Sequence, residues 1–331
     1  MPLRFGILGA GRIGKVHARA LAGDGGARLV AVADVIPAAA EAIADAYGCD
    51  VRSIDAIIGA ADIDAVVICT PTDTHADLIE AAVTVGKAVF CEKPIDLDAK
   101  RVREVLKVVA AEKGTLMVGF NRRFDPDFMA VKAAINEGTV GEVEMVTISS
   151  RDPGAPPYDY ISRSGGIFRD MTIHDFDMAR WLLGEEVETV QAAASVLVDK
   201  KIGELGDYDS VNVILRTKSG RQAVITNSRR ATYGYDQRIE VLGSKGSVAA
   251  LNMAEANIEV ATSDGFRRPP LLNFFMTRYV AAYANEIAGF IAAVTNGTTT
   301  PTTGEDGLMA LVLADAALQS VETGCAVNVA Q

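Results

Sequence analysis

Leu3-Arg4-Phe5-Gly6-Ile7-Leu8-Gly9-Ala10-Gly11-Arg12-Ile13-Gly14, followed by the helix-forming segment Lys15 to Leu21, is the stretch that decides the fold. An apolar run ends in a Gly-x-Gly-x-x-Gly turn, and a helix follows at once. In a dinucleotide-binding turn the three glycines do different things. Gly9 bends the chain off the strand, Gly11 lets the backbone approach a pyrophosphate, and Gly14 lets the helix pack on the sheet. The helix N-terminus then offers N–H groups and a partial positive charge to the phosphates. Such a triplet alone also describes a flexible glycine loop. Here a strand precedes it, a helix follows, and an acid, Asp34, lies 20 residues beyond Gly14.

Asp34 closes the apolar run Ala27–Ala33. A carboxylate at the end of a second strand accepts hydrogen bonds from both ribose hydroxyls of an adenosine and repels a 2′-phosphate. Val35 and Ile36 follow it, with no arginine to neutralise that phosphate, so NAD is preferred over NADP. Arg12, in the glycine turn, is the one residue that argues for a phosphate.

Further along, Asp64–Thr70 reads as a strand running into Pro71-Thr72-Asp73-Thr74-His75, with Asp73 or Thr74 as candidate cap of a helix from His75 to Val85. His75 is then a helix-start residue near the cofactor, and His17, inside the first helix, a packing or surface histidine. Lys87–Cys91 is a strand that leads into Glu92-Lys93-Pro94. A lysine there overlies the crevice at the strands' carboxyl ends, although without that context it reads as a solvated loop residue. A helix (Asp98–Lys113) and a strand (Thr115–Phe120) complete an alternation that implies a parallel, doubly wound Rossmann sheet over residues 1–120. The candidate cofactor contacts are the glycine turn (Gly9, Gly11, Gly14) with Arg12 and Ile13, Asp34 with Val35, Thr70-Pro71-Thr72 with His75, and Glu92 with Lys93.

The chain has 331 residues, enough for two domains, and is 49% hydrophobic and 23% charged. A net charge of -11 provides no basic face for nucleic acid or anionic lipid. The greasiest segment, Phe274–Val294, contains Arg278, Asn285 and Glu286, so no membrane span is expected. The N-terminus reads as a strand without a signal sequence. Cys49, Cys69, Cys91 and Cys325 are scattered, with no zinc-type spacing. A cytoplasmic, reduced, metal-free protein is the expectation.

Residues 121–331 read as an α+β domain with a large, open, mainly antiparallel sheet. Helix Pro126–Glu137 is followed by strands at Glu142–Ser150, Gln191–Val198, Tyr208–Thr217, Gln222–Ala231 and Arg238–Leu242. Turns at Lys218-Ser219-Gly220 and Ser244-Lys245-Gly246 imply hairpins. One face of this sheet is expected to be covered; the other, carrying Val211, Val213 and Leu215, is a candidate oligomer interface. Phe274–Val294 and Glu305–Glu322 are late helices that are candidates to pack back on the first domain.

An irregular, proline-rich loop (Arg151–Ser164) with Tyr158 and Tyr160 is placed to line a substrate site. If a helix begins near Met171, Asp170 and His174 stand one turn apart on one face. A carboxylate beside an imidazole raises its basicity, which suits a base that takes an alcohol proton. Alone, the pair also reads as a helix cap with a structural histidine. Arg229-Arg230 and Arg267-Arg268 read as solvated faces.

Gly9-Ala10-Gly11-Arg12-Ile13-Gly14 with His17, Thr70-Pro71-Thr72 with His75, Glu92-Lys93-Pro94, Val118–Asp125, and Gly165-Gly166-Ile167-Phe168-Arg169-Asp170 with His174 together resemble the Gfo/Idh/MocA oxidoreductase family, most closely its inositol-oxidising members. The resemblance covers essentially the whole chain. It implies an NAD-dependent enzyme that oxidises a secondary hydroxyl of a cyclic polyol, myo-inositol to its 2-keto product, with His174 as base, Lys93 as hydrogen-bond donor to the reacting oxygen and Asp170 orienting His174. Asn121, Arg122, Asp152, Tyr158, Thr172 and Tyr233 or Tyr235 are candidate substrate contacts beside these three; Arg122 and Tyr233 or Tyr235 are those the resemblance favours. It also implies a homo-oligomer, dimer or tetramer, through the C-terminal sheet. The competing readings are an NAD(P)-dependent aldose or other sugar dehydrogenase and a non-catalytic dinucleotide sensor.

Overall fold

The computed structural model describes residues 1–329, which fall into two compact units: residues 1–125 with 281–311, and residues 126–280 with 312 onward. In the first unit β1 (Leu3–Leu8) leads through the glycine turn into α1 (Arg12–Gly23) and β2 (Ala27–Ala33). Then come α2 (Pro37–Tyr47), β3 (Asp50–Val51), α3 (Ile54–Ile58), β4 (Ala65–Ile68), α4 (His75–Thr84), β5 (Ala88–Glu92), α5 (Ala99–Ala111) and β6 (Leu116–Gly119). The six strands form one parallel sheet in the order β3-β2-β1-β4-β5-β6. Every residue of β4 and β6 is buried. Helices on both faces remove the solvated side that would otherwise impose polar alternation, so these strands read as unbroken apolar runs. Local chemistry sets the helix ends. Pro37 starts α2 with a φ suited to a helix, and Gly48, at φ +67°, ends it left-handed.

The second unit opens with α6 (Pro126–Asn136), β7 (Val143–Arg151), α7 (Tyr158–Ile161) and α8 (Ile173–Leu183), followed by β8 (Val187–Ser195), α9 (Lys200–Glu204), β9 (Ser210–Thr217), β10 (Gln222–Ser228), β11 (Asp236–Gly243) and β12 (Gly246–Ala250). A small hairpin (β13, Val260–Thr262; β14, Gly265–Arg267) and α10 (Phe275–Arg278) come next. α11 (Val280–Asn296), α12 (Gly304–Thr323) and β15 (Val327–Asn328) finish the chain. The seven-stranded sheet runs β12-β11-β7-β10-β9-β8-β15. All its pairings are antiparallel except β7 with β10, so the sheet is mixed. The two hairpins expected at 218–220 and 244–246 are present as β9–β10 and β11–β12.

Two expectations are corrected here. Val211, Val213 and Leu215 point into the core, and the outward positions of β9 are Asn212, Ile214 and Arg216. Alternation defines two faces but does not say which one the helices cover. The exposed face instead carries Met145, Ile214, Val224 and Leu242. The segment 274–294 is not one helix, because Tyr279 separates α10 from α11.

α11 supplies core to the first unit. Phe290 packs its ring 6.1 Å from Phe5 and 5.8 Å from Phe90, and Ile287 and Ile291 join the same cluster. The edge of β6 is covered by the chain before α12, where the Val118 N–H donates to Thr302 O (3.0 Å) and Thr302 Oγ1 donates to Val118 O (2.6 Å). This pairing satisfies an otherwise bare sheet edge. The start of α12 (to Leu311) belongs to the first unit and its remainder to the second.

Candidate active site

In the first unit the strand order reverses direction at β1 and β4, so a crevice opens beyond their carboxyl ends. The three glycines of the turn separate by role. Gly9 has φ +100°, and a Cβ there would meet the Cys69 carbonyl at 2.6 Å; at Gly14 it would meet Gly9 O at 2.0 Å. Both are required by the fold itself. At Gly11 an added Cβ would meet nothing within 4 Å. Nothing in the fold calls for glycine at this position, whereas a pyrophosphate drawn against the backbone does. No side chain caps α1, and its first turn carries no acid, which leaves the helix start suited to an anion.

Asp34 is fixed to this turn. Its Oδ2 accepts from Ala10 N (2.6 Å) and its Oδ1 from Ile36 N (2.8 Å), so the carboxylate stands beside the glycines with a lone pair on each oxygen still available to a ribose. Val35 and Ile36 next to it are 93% and 61% exposed, an apolar ledge where an adenine can lie. These residues fit NAD.

His75 is buried, with Nδ1 2.8 Å from Pro94 O and Nε2 2.8 Å from Thr70 O. It thus ties the loop after β4 to the cis Lys93–Pro94 segment after β5. The expected cap from Thr74 is absent: its hydroxyl donates to Thr70 Oγ1 (2.7 Å) within a short 3-10 turn, Thr72–Thr74. Nor is His17 a surface residue. It is wholly buried, and its Nε2 lies 2.7 Å from Glu92 Oε1. Asn121 and Arg122 lie buried in a 3-10 turn that directly follows β6. Burial pushes the Cys69 and Cys91 thiols well up, so neither is a ready nucleophile.

In the second unit Asp170 and His174 stand on one continuous helical run, a π-turn (Phe168–Thr172) that passes directly into α8. A buried polar network anchors this run to the sheet. Thr172 Oγ1 donates to Asn227 Oδ1 (2.7 Å), Asn227 Nδ2 to Asp175 Oδ2 (2.8 Å), and Ser150 Oγ to Asp175 Oδ1 (2.6 Å). Thr172 is fully buried and its hydroxyl serves this network.

Asp170 itself accepts from the Tyr160 hydroxyl (2.8 Å), and Arg229 Nη1 lies 3.7 Å from its other oxygen. Arg229 is 1% exposed, so its reading as a solvated residue is corrected. Burying a guanidinium is tolerable only with carboxylate partners, and these come from distant parts of the sequence. The remaining candidates are engaged in different ways. The hydroxyl of Tyr158, half-way along the loop, donates to Asp199 (2.7 Å), and that carboxylate pushes the phenol up. Tyr233 donates to Asp236 (2.5 Å), Tyr235 packs edge-on against Tyr279, and the Asp152 N–H donates to Ser228 O (3.0 Å). Arg229, Asp207 and Asn227 were not singled out from sequence as site residues. Only proximity in three dimensions marks them. Among the described residues, no group of three or more His, Cys, Asp or Glu is arranged to hold a metal.

Residues 3–120 match the profile of an oxidoreductase family with an NAD-binding Rossmann fold, and residues 128–249 match the Gfo/Idh/MocA C-terminal domain. The inositol 2-dehydrogenase of Rhizobium meliloti (strain 1021) is 72% identical over 321 residues, covering 97% of each chain. The chain belongs to the Gfo/Idh/MocA oxidoreductase family. Within that family, the crystal structure of a myo-inositol dehydrogenase from Corynebacterium glutamicum superimposes with a TM-score of 0.96 at 42% identity, covering 100% of both chains. A scyllo-inositol dehydrogenase from Lactobacillus casei, solved with NAD(H) and scyllo-inositol bound, gives a TM-score of 0.93 at 30% identity, again over 100% of both chains. The Gly11 opening and the Asp34 carboxylate both lie within the residues matched to the NAD-binding Rossmann fold.

Proposed function

We propose that this protein is an NAD-dependent dehydrogenase that oxidises a secondary hydroxyl of a cyclic polyol, myo-inositol to its 2-keto product. The observation that carries the reading is the 72% identity, over 97% of both chains, to an inositol 2-dehydrogenase. The presence of Lys93, Asp170 and His174 together supports catalysis over a silent dinucleotide sensor, which has no need for all three.

When bound, the nicotinamide ring supplies the acceptor for the hydride that leaves the carbinol carbon. His174 takes the hydroxyl proton as the C–H bond breaks, so alcohol becomes ketone and the proton remains on the imidazole. Lys93 donates a hydrogen bond to the same oxygen, opposing the negative charge that develops there. Asp170 orients His174 and favours the imidazolium that forms. Arg122, Asn121, Asp152, Tyr158 and Tyr233 or Tyr235 are proposed to read the ring hydroxyls, since each unmatched polar group in a closed site penalises the wrong stereoisomer.

A homo-oligomer, dimer or tetramer, through the exposed face of the seven-stranded sheet is part of this reading. So is a cytoplasmic location; no helix among the described residues is long and apolar enough to cross a membrane. The deciding experiment follows absorbance of reduced cofactor with NAD or NADP against myo-inositol, scyllo-inositol and glucose. NAD-linked oxidation of an inositol supports the proposal. Preference for glucose makes the protein a sugar dehydrogenase, and tight NAD binding without turnover makes it a sensor.

A further inference from the structure

Three charges line up inside the second unit. Arg229, just past the end of β10, is 1% exposed and lies between two carboxylates. Its Nη2 donates to Asp207 Oδ2 at 3.1 Å, while its Nη1 is 3.7 Å from Asp170 Oδ2. Asp207 is itself anchored, because its Oδ1 accepts from Ile167 N at 2.8 Å. An arginine serving the fold alone would be balanced by Asp207. The additional reach toward Asp170 is longer than a hydrogen bond but well within the range where a buried charge governs its neighbour.

We infer that Arg229 is a positioning residue for Asp170, and that the placing of this buried cation between Asp207 and Asp170 sets the pH range in which His174 works as a base. The inference rests on the roles proposed above for Asp170 and His174. Near Asp170 stand, among other groups, Tyr160 from α7, Arg229 from the end of β10, Asp207 behind Arg229, and His174 four residues on along the same helical run. The neighbouring Arg169 is turned to Asp315 of α12 (2.7 Å). Asp209, whose carbonyl accepts from Arg229 N, directs its carboxylate to the N–H groups of Leu197, Val198 and Asp199.

Charge arithmetic gives opposite signs for the two ends of this arrangement. Removing the cation makes every proton in the cluster harder to remove, and removing the outer carboxylate makes it easier. The test is the pH profile of kcat/KM for myo-inositol in the full-length enzyme. Arg229→Met should move the acid limb up by about one pH unit. Asp207→Asn, which preserves the shape and the acceptor for Ile167 N, should move it down by a similar amount. Arg229→Lys, which retains the charge, should leave the limb at the wild-type position. If Arg229→Met fails to fold, the downward shift in Asp207→Asn still decides the matter.

A purely structural role lowers kcat/KM without moving the limb; unmoved limbs, or shifts in the same direction, overturn the inference. An active wild type with unmoved limbs sinks this inference alone. A wild type that oxidises no polyol sinks the functional reading, and this inference with it.

Discussion

His17 Nε2 lies 2.7 Å from Glu92 Oε1, joining the helix that follows the glycine turn to the last residue before Lys93. The two residues are 75 positions apart in sequence. His17 is wholly buried, with its ring edge-on to Phe90 (4.9 Å) and to Tyr283 (5.6 Å). The contact fixes the end of β5 relative to the helix after the glycine turn, and so sets where the Lys93 backbone leaves the sheet.

His17→Phe keeps the packing volume and strips Glu92 of this partner. Glu92 is only partly buried, so the loss of this partner should cost about 1 kcal/mol, at the lower end of the range for an acceptor left without its donor, in denaturant unfolding. Glu92→Gln, which can still hydrogen-bond the imidazole, should cost less. Wild-type stability in His17→Phe would show that the contact carries no weight.

The glycine turn separates stability from binding. Gly14→Ala places a methyl group 2.0 Å from Gly9 O and should lower the melting temperature by several degrees. Gly11→Ala meets only open space, so its melting temperature should match wild type while NAD affinity falls about tenfold or more, roughly 1.4 kcal/mol. Calorimetry and NAD titration on both variants check this. Equal NAD affinity in Gly11→Ala and wild type would remove the pyrophosphate from that position.

His174→Ala and Lys93→Met should each lower kcat by about 10² to 10⁴, the range of a positioned proton-transfer or charge-stabilising group. His174→Ala should leave the dissociation constant for NAD at the wild-type value. Steady-state rates combined with cofactor titration distinguish this from loss of binding, which would refute its assigned role.

Asp236 gives the protein an acid-sensitive joint. Burial works against ionisation of its carboxyl, but hydrogen bonds from Arg238, Tyr233 and Asn252 outweigh it and hold the group below the usual carboxylate range. With its value depressed in the folded state, the stabilisation is fully present above the unfolded-state value and is lost as pH falls below about 4 and through the folded-state value. Thermal melts from neutral pH down to pH of about 3 should show this loss in the wild type and a shallower one in Asp236→Asn. Parallel curves would assign the acid response to other groups.

The exposed sheet face offers a test of assembly. Ile214 and Val224 are paired across β9 and β10, and Leu242 and Met145 across β11 and β7, with all four side chains outward. Ile214→Glu places a charge in the middle of that apolar face. In size-exclusion chromatography it should shift the protein to a smaller species while its circular dichroism stays that of wild type. A wild type that already elutes as a monomer would rule out the interface.

Much of the first unit was legible without coordinates, because its signals are local. Glycine spacing, a terminal acid and buried strands separated by helices follow from backbone sterics and burial within short windows. Asp170 and His174 were visible for the same reason, as two residues four apart at a helix start. The antiparallel hairpins were marked by their turns. The parallel pairing of β7 with β10 had no such mark, since helices and the strands β8 and β9 lie between them in the chain.

What the sequence determined by itself is the order of the main strands and helices, the glycine turn and the residue types able to carry hydride-transfer chemistry. What only the tertiary structure decided is partnership: His17 with Glu92, Arg229 between Asp207 and Asp170, and which face of β9 is covered. The physical reason is that periodicity and propensity act between neighbours along the chain. The environment of a buried charge, and the side of a strand that meets a helix, are set by groups brought together only when the whole unit folds.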